Sequence, residues 1–218
     1  MTDTSTAAAA FAPFEDLAAA LLPHAEDAGD GAHDVAHLLR VFHNAMRLQA
    51  TEGGDAQLLA AAVLLHDCVS VEKNSPHRAE ASRLAADKAT AILADLGWQP
   101  ERIDAVAHAI HAHSYSANVE PVTLEARILQ DADRLDSLGM IGVARTFYIA
   151  GRMGSKLYHA ADPQGTDRPL DDRTYGLDHF ETKLMKLSQG FKTDSGKAMA
   201  AERHRRLVQF RDLFLDEI

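Results

Sequence analysis

The sequence predicts an all-α fold, a single helical bundle with a long irregular loop before its C-terminal helices. Ala, Leu, Glu, Arg and Gln dominate the periodic stretches, and runs in which Val, Ile, Thr or aromatic residues alternate with polar ones are absent. Gly, Pro and Asp punctuate these stretches at helix-length intervals, where caps and stops belong. No internal repeat or long linker divides the chain, so residues 1–218 are expected to form one domain.

Residues 1–13 read as a loose N-terminus that holds the only low-complexity stretch, an alanine cluster. A first helix is expected from Phe14 to Ala25, followed by a turn at Gly29 to Gly31. Asp34 can cap a second helix running to about Ala50, where Glu52-Gly53-Gly54-Asp55 stops it and caps a third that ends at His66-Asp67. Pro76 opens an amphipathic stretch through Leu96 that Gly97 closes, and Pro100 suits the first turn of a helix reaching about His113. Pro121 starts another, Val122 to Leu138, with Leu124, Ile128, Ala132 and Leu135 on one side. From Gly151 to Gly176 the composition shifts to Gly, Pro, Asp and Arg, an irregular connection that could act as a lid, bordered by Arg145, Arg152 and Lys156. Leu177 to Gly190 and Ser195 to the end form a last amphipathic pair.

A formal net charge of −10 and a pI near 5.6 exclude a sequence-independent grip on nucleic acid, which needs clustered Lys and Arg. The single cysteine, Cys68, cannot form an internal disulfide and is expected to be a small buried residue. Residues 1–14 lack the basic start and apolar core of an export signal, and no apolar run reaches membrane-spanning length. A soluble, cytoplasmic protein is expected, with no membrane partner and with a homodimer left open.

His37, His66, Asp67 and Asp133 lie on three helical segments, each interrupting a run of Leu, Val, Ile and Ala that should face a core. Two imidazoles and two carboxylates aimed into apolar faces need a partner, and one divalent cation is a partner that all four can share. Neighbouring helical residues point about 100° apart, so His66 and Asp67 reach one ion only near a helix end. Asp131 and Asp133 are separated by roughly 200° around the helix, and Asp131 is assigned to a surface ion pair with Arg127 four residues earlier. His37, inside its helix, is the better ligand than His33, which precedes the cap.

On these residues the chain resembles the HD-domain metal-dependent phosphohydrolases. The family motif falls on His37 in HLLRV, His66-Asp67 in LLHD and Asp133 in DADRLD. EKNSPHRAEAS, AIHAHSYS, ILQDADRLDSLGMIGVAR, HFETKLMKL and KTDSGKAMAAERH are similar to one small bacterial branch, the YedJ/YpgQ-like proteins. The resemblance implies an HD-domain helical fold, a bound divalent metal and hydrolysis of phosphate esters or anhydrides, in that branch of nucleoside triphosphates to pyrophosphate. The acidic Glu-Asp pair that follows the HD motif in the enzymes acting on guanosine alarmones is not matched by CVSVEKN.

The donor set suits Mn²⁺ first, with Ni²⁺, Co²⁺, Fe²⁺ or Mg²⁺ as alternatives, and four protein ligands leave room for a water and a phosphate oxygen. Asp67, or Glu72 through a water, can take a proton. Lys73, Asn74 and Arg78, on a turn leading into a helix N-terminus, form a candidate phosphate clamp. Arg134 can reach a phosphate or pair with Asp131 or nearby Glu residues. Of three clustered histidines, the resemblance favours His113 as a substrate contact and then His111, whereas His108 reads as a surface or core residue. His179 and Lys183 match the branch's HFxxKL segment without a role that spacing supplies.

The expected partner is therefore a small phosphorylated nucleotide, most simply a (deoxy)nucleoside triphosphate. The alternatives are a nucleoside monophosphate phosphatase, a cyclic-nucleotide phosphodiesterase, or a non-catalytic nucleotide-binding regulatory module.

Overall fold

A computed structural model describes residues 4–25, 34–69, 71, 80–114 and 117–218. Among these, the regular structure is ten α-helices with no strand. They group into two compact units, residues 1–133 and 134–218.

In the first unit, α1 (Thr4–Ala8) and a 3-10 turn lead to Phe11, which is wholly buried against the Phe42 ring with centroids 5.1 Å apart. The loose start expected over residues 1–13 is therefore anchored by Phe11, an aromatic side chain too large to leave in water when a core face is open beside it. After α2 (Glu15–Leu21) comes α3 (Val35–Glu52), whose first turn is capped by Asp34 accepting from the His37 amide at 3.0 Å. Gly53 and Gly54, at φ +87° and +95°, reverse the chain, and Asp55 caps α4 (Ala56–Leu65) by accepting from the Leu58 amide at 2.9 Å. Every residue from Leu58 to Leu65 is buried. A helix apolar on all sides belongs at a centre, and α4 packs against α2, α3, α5 (Ala81–Asp95) and α6 (Pro100–His113). The turn expected at Gly29 to Gly31 and the start at Pro76 lie outside the described residues.

α7 (Leu124–Leu135) begins later than Pro121 because Thr123 is its cap, its hydroxyl accepting from the Ala126 amide at 3.2 Å. Ile128, Ala132 and Leu135 are wholly buried, as their spacing predicts.

In the second unit, α8 (Gly139–Arg152) has no counterpart among the expected elements, because three glycines in fourteen residues mask its periodicity. Gly142 is there for space: a Cβ on it would stand 2.4 Å from the Ser137 carbonyl oxygen. The loop that follows is tied within its own unit. Lys156 pairs with Tyr175 in an isolated parallel bridge, and Arg168 holds the buried Asp178 carboxylate with two bonds of 2.6 and 2.7 Å. The single helix expected from Leu177 to Gly190 is instead α9 (Asp178–Thr182) and a 3-10 turn, broken where Lys183 adopts φ −135°, ψ −59°. α10 (Asp194–Asp216), capped by Thr193, sets its Phe210 and Phe214 against Phe147 and Phe180, with contacting rings 5.7 to 6.1 Å apart.

Candidate metal centre

The site forms where the C-terminal ends of α4, α6 and α7 meet the first turn of α3. His66 is the C-terminal cap of α4, His113 is the last residue of α6, Asp133 lies in the last turn of α7, and His37 is the third residue of α3. Helix C-termini carry partial negative charge, so three of them aimed together favour a cation.

His37 and His66 are each 1% exposed, and their Nε2 atoms stand 3.3 Å apart. Asp67 Oδ2 lies 3.7 Å from His37 Nε2 and 3.5 Å from His66 Nε2. Asp133 Oδ1 lies 3.6 and 3.9 Å from the same two nitrogens. Donors bound to one ion at about 2.0–2.2 Å stand roughly 3 to 3.6 Å from one another. The separations here, 3.3 to 3.9 Å, come close to that, and His37, His66 and Asp133 form one potential ligand trio. The His66 Nδ1 lies 2.7 Å from the Val63 carbonyl, which holds the proton there and turns the Nε2 lone pair toward the cluster. The carboxylates are about a third exposed, 36% for Asp67 and 33% for Asp133, so the cluster is open to solvent from their side.

His113 joins this group. Its Nε2 lies 3.9 Å from Asp67 Oδ1, its ring meets that of His66 edge-on at 4.9 Å, and its Nδ1 lies 2.6 Å from the Ile110 carbonyl. Burial pushes its imidazole down, His66 adds to this, and Asp133 and Asp67 oppose it. A neutral His113 presents an Nε2 lone pair to the cluster, as His66 does. His66, Asp67 and His113 thus form a second potential ligand trio, which shares His66 with the trio of His37, His66 and Asp133.

Other expected site residues fare differently. His111 is not part of the cluster; it is half-buried beside His108, whose imidazole is pushed down by burial and then by His111. His108 Nε2 accepts from the Val122 amide at 3.1 Å, a structural bond. Arg134 donates through Nη1 to the Gln189 and Gly190 carbonyls, at 3.3 and 3.0 Å, and lies over the Phe191 ring. Asp131 is not a surface residue: it is wholly buried, while Arg127 donates to the Pro121 and Val122 carbonyls. Arg145 is engaged by the buried Asp136 at 2.7 Å. Cys68 is buried, its Sγ 3.5 Å from the Ala85 carbonyl. His179 Nδ1 lies 2.9 Å from Asp172 Oδ2, which Thr182 also contacts. His33, Glu72, Lys73, Asn74 and Arg78 lie outside the described residues.

Two side chains that sequence reasoning passes over sit directly behind the cluster. Asn44 donates to the Ala132 carbonyl at 3.0 Å, and Gln130 donates to the Ala112 carbonyl at 2.7 Å. The signal available was an amide on an otherwise apolar helix face.

The profile of the HD domain family matches residues 35–138, which span the four clustered residues. YpgQ of Bacillus subtilis is 31% identical over 182 residues, covering 82% of this chain and 80% of that protein. The crystal structure of Bacillus subtilis YpgQ in complex with ADP superposes with a TM-score of 0.67 at 31% identity, covering 85% of this chain and 87% of that one. An HD-superfamily hydrolase of Bacillus thuringiensis superposes with a TM-score of 0.68 at 30% identity over 97% of this chain and 94% of its own.

Proposed function

This chain belongs to the HD-domain family and is a metal-dependent phosphohydrolase, and from that premise we propose that it cuts a (deoxy)nucleoside triphosphate to the monophosphate and pyrophosphate. The observation that carries the reading is the convergence of His37, His66, Asp67 and Asp133 on one point, with the carboxylate side open to solvent. The ADP in the YpgQ complex supports a nucleotide as the ligand class.

His37, His66, Asp67 and Asp133 would hold the ion, with Mn²⁺ best matched to two imidazoles and two carboxylates. A divalent cation held there supplies Lewis acidity at the reacting phosphoryl group and a nucleophile at neutral pH. The protein's own part is positioning and proton handling. Asp67 divides its two oxygens: Oδ2 faces His37 and His66, while Oδ1 faces His113. Oδ1 is thus the atom suited to accept a proton from an attacking water, with Glu72 as an alternative acceptor. His113 would meet the substrate side of the cluster through its Nε2 lone pair, accepting from a water bound to the phosphate, and His111, Lys73, Asn74 and Arg78 are the phosphate contacts in this reading. Several donors spread over the phosphates match a reaction whose catalysis is mostly charge stabilisation.

A panel of nucleotides assayed with Mn²⁺, Co²⁺, Ni²⁺ and Mg²⁺, with and without added pyrophosphatase, tests this. A phosphate signal that needs the auxiliary enzyme supports pyrophosphate release. Phosphate released directly from a monophosphate, or linearisation of a cyclic nucleotide, would replace this reading. Tight nucleotide binding without turnover under any metal would make the site regulatory.

A further inference from the structure

Two buried amides link three of the four helices that carry cluster residues. Asn44 follows His37 by two turns on α3, so both face the same way. Its Nδ2 donates at 3.0 Å to the carbonyl of Ala132, the residue immediately before Asp133. Gln130 lies three residues before Asp133 on α7, and its Nε2 donates at 2.7 Å to the carbonyl of Ala112, immediately before His113. Asn44 is 4% exposed and Gln130 6%, while both receiving alanines are wholly buried.

Each accepting carbonyl belongs to the last turn of its helix, where the helix leaves carbonyl lone pairs free for other donors. The neighbours of these amides along the apolar faces are Val41, Ala45, Leu48, Ile128 and Leu129, all buried, so a leucine or methionine would suit the same volumes. Retaining an amide costs desolvation that packing does not return. At Gln130 the cost is visible, since its Oε1 is buried with no partner among the described residues. A bond kept at such a cost, in both cases one residue from a cluster side chain, has a directional purpose.

We propose that Asn44 and Gln130 are positioning residues: Asn44 fixes the end of α7 so that Asp133 faces His37, and Gln130 fixes the end of α6 so that His113 faces Asp67. The proposal rests on the cluster being a metal centre, and it goes beyond the ligand set to the groups that aim it. Because each amide acts through one cluster residue, its effect disappears once that residue is gone. General stabilisation of the core would not behave this way.

The test uses the full chain and its Asn44→Leu and Gln130→Met variants. Mn²⁺ affinity is measured by calorimetric titration, the visible spectrum of the Co²⁺ form is recorded, and melting temperature is followed without metal. Asn44→Leu is expected to weaken Mn²⁺ binding 10- to 100-fold, as loss of groups that orient ligands does, and to alter the Co²⁺ spectrum. In an Asp133→Ala background the same substitution is expected to leave the remaining affinity unchanged. Gln130→Met is expected to lower kcat severalfold in the native background and to have no further effect in His113→Ala.

Unchanged Mn²⁺ affinity and Co²⁺ spectrum in Asn44→Leu, with only the melting temperature moved, would overturn the proposal. So would losses that persist undiminished in the Asp133→Ala and His113→Ala backgrounds. Asn44→Ala, which leaves a small void rather than new bulk, replaces the leucine variant if that one does not fold. If the unmodified chain binds neither Mn²⁺ nor Co²⁺, the metal reading falls and this proposal with it, whereas metal binding that is indifferent to Asn44 sinks the proposal alone.

Discussion

The Nε2 atoms of His37 and His66 face each other across 3.3 Å in an interior almost closed to water, with an Asp67 and an Asp133 oxygen each within 4 Å of both. Polar atoms brought this close inside a core are stabilised by a shared cation. Dialysis against a chelator is therefore expected to lower the melting temperature, and Mn²⁺ at about 100 times its dissociation constant to restore about 2.7 kcal/mol. In His66→Ala the melting temperature is expected to be the same with and without Mn²⁺. A metal-dependent rise that survives in His66→Ala would place the ion elsewhere.

Asp67 serves the cluster through one oxygen and faces His113 with the other. Asp67→Asn keeps the side chain's shape but removes its charge and its ability to take a proton. A kcat loss of about 10²- to 10⁴-fold is expected, with far-UV circular dichroism unchanged. A variant that retains most of its turnover would remove Asp67 from the chemistry.

Gly142 and Gly151 lie on the same helix and differ in what surrounds them. A Cβ at Gly142 would meet the Ser137 carbonyl at 2.4 Å, whereas nothing stands within 4 Å of one at Gly151. Urea denaturation is expected to show Gly142→Ala destabilised by about 2 kcal/mol. Gly151→Ala should instead be neutral or more stable by up to about 1 kcal/mol. Equal effects at the two sites would contradict the packing of α8 against the Ser137 turn.

Asp162 organises the long loop by accepting from the Asp167 amide at 2.9 Å and from the Thr166 amide and hydroxyl at 3.0 Å each. The Asp167 amide first, then that of Thr166, lowers its carboxyl to about 2 from an ordinary value of 3.8. A depressed carboxylate stabilises the folded loop fully above pH 3.8, and that contribution is lost as pH falls toward 2. Carboxyl carbon chemical shifts should titrate with that midpoint. An Asp162→Asn chain should show faster amide exchange in residues 162–168 at neutral pH and no acid-dependent change there.

Asp55 caps α4 and also receives the Arg102 guanidinium at 2.8 Å. Asp55→Ala is expected to cost about 1 to 2 kcal/mol in thermal or chemical unfolding, because it frees the first-turn amides of the central helix. Since α4 ends in His66, weaker Mn²⁺ binding at temperatures near the midpoint should accompany it.

Much of this was legible without coordinates because it depends on neighbours along the chain. Asp34 and Asp55 precede apolar periodic runs and cap them, and Gly53-Gly54 and Gly97 stop helices at the positions their conformational freedom suggests. His66-Asp67 at the end of an Ala/Leu-rich helix, with His37 and Asp133 on two others, named the four residues that converge. The failures share a cause as well. α8 is hidden because three glycines interrupt its periodicity, and one of them, Gly142, serves a close approach to the Ser137 carbonyl that no local pattern encodes. Asp131 was assigned to Arg127 by a four-residue spacing that holds for isolated helices, but burial of that face decided otherwise.

What the sequence determined by itself is the helical class, the caps and stops, and the identity of the clustered imidazoles and carboxylates, since each follows from propensity or from spacing within a few residues. The tertiary structure decided the rest: that His113 stands beside Asp67 while His111 does not, and that Asn44 and Gln130 brace the carbonyls next to Asp133 and His113. Those are distances between residues 18 to 88 positions apart in the chain. The packing of α4 against α2, α3, α5 and α6, together with the burial of the inner face of α7, sets them, because close packing of apolar faces fixes where the helix ends must lie.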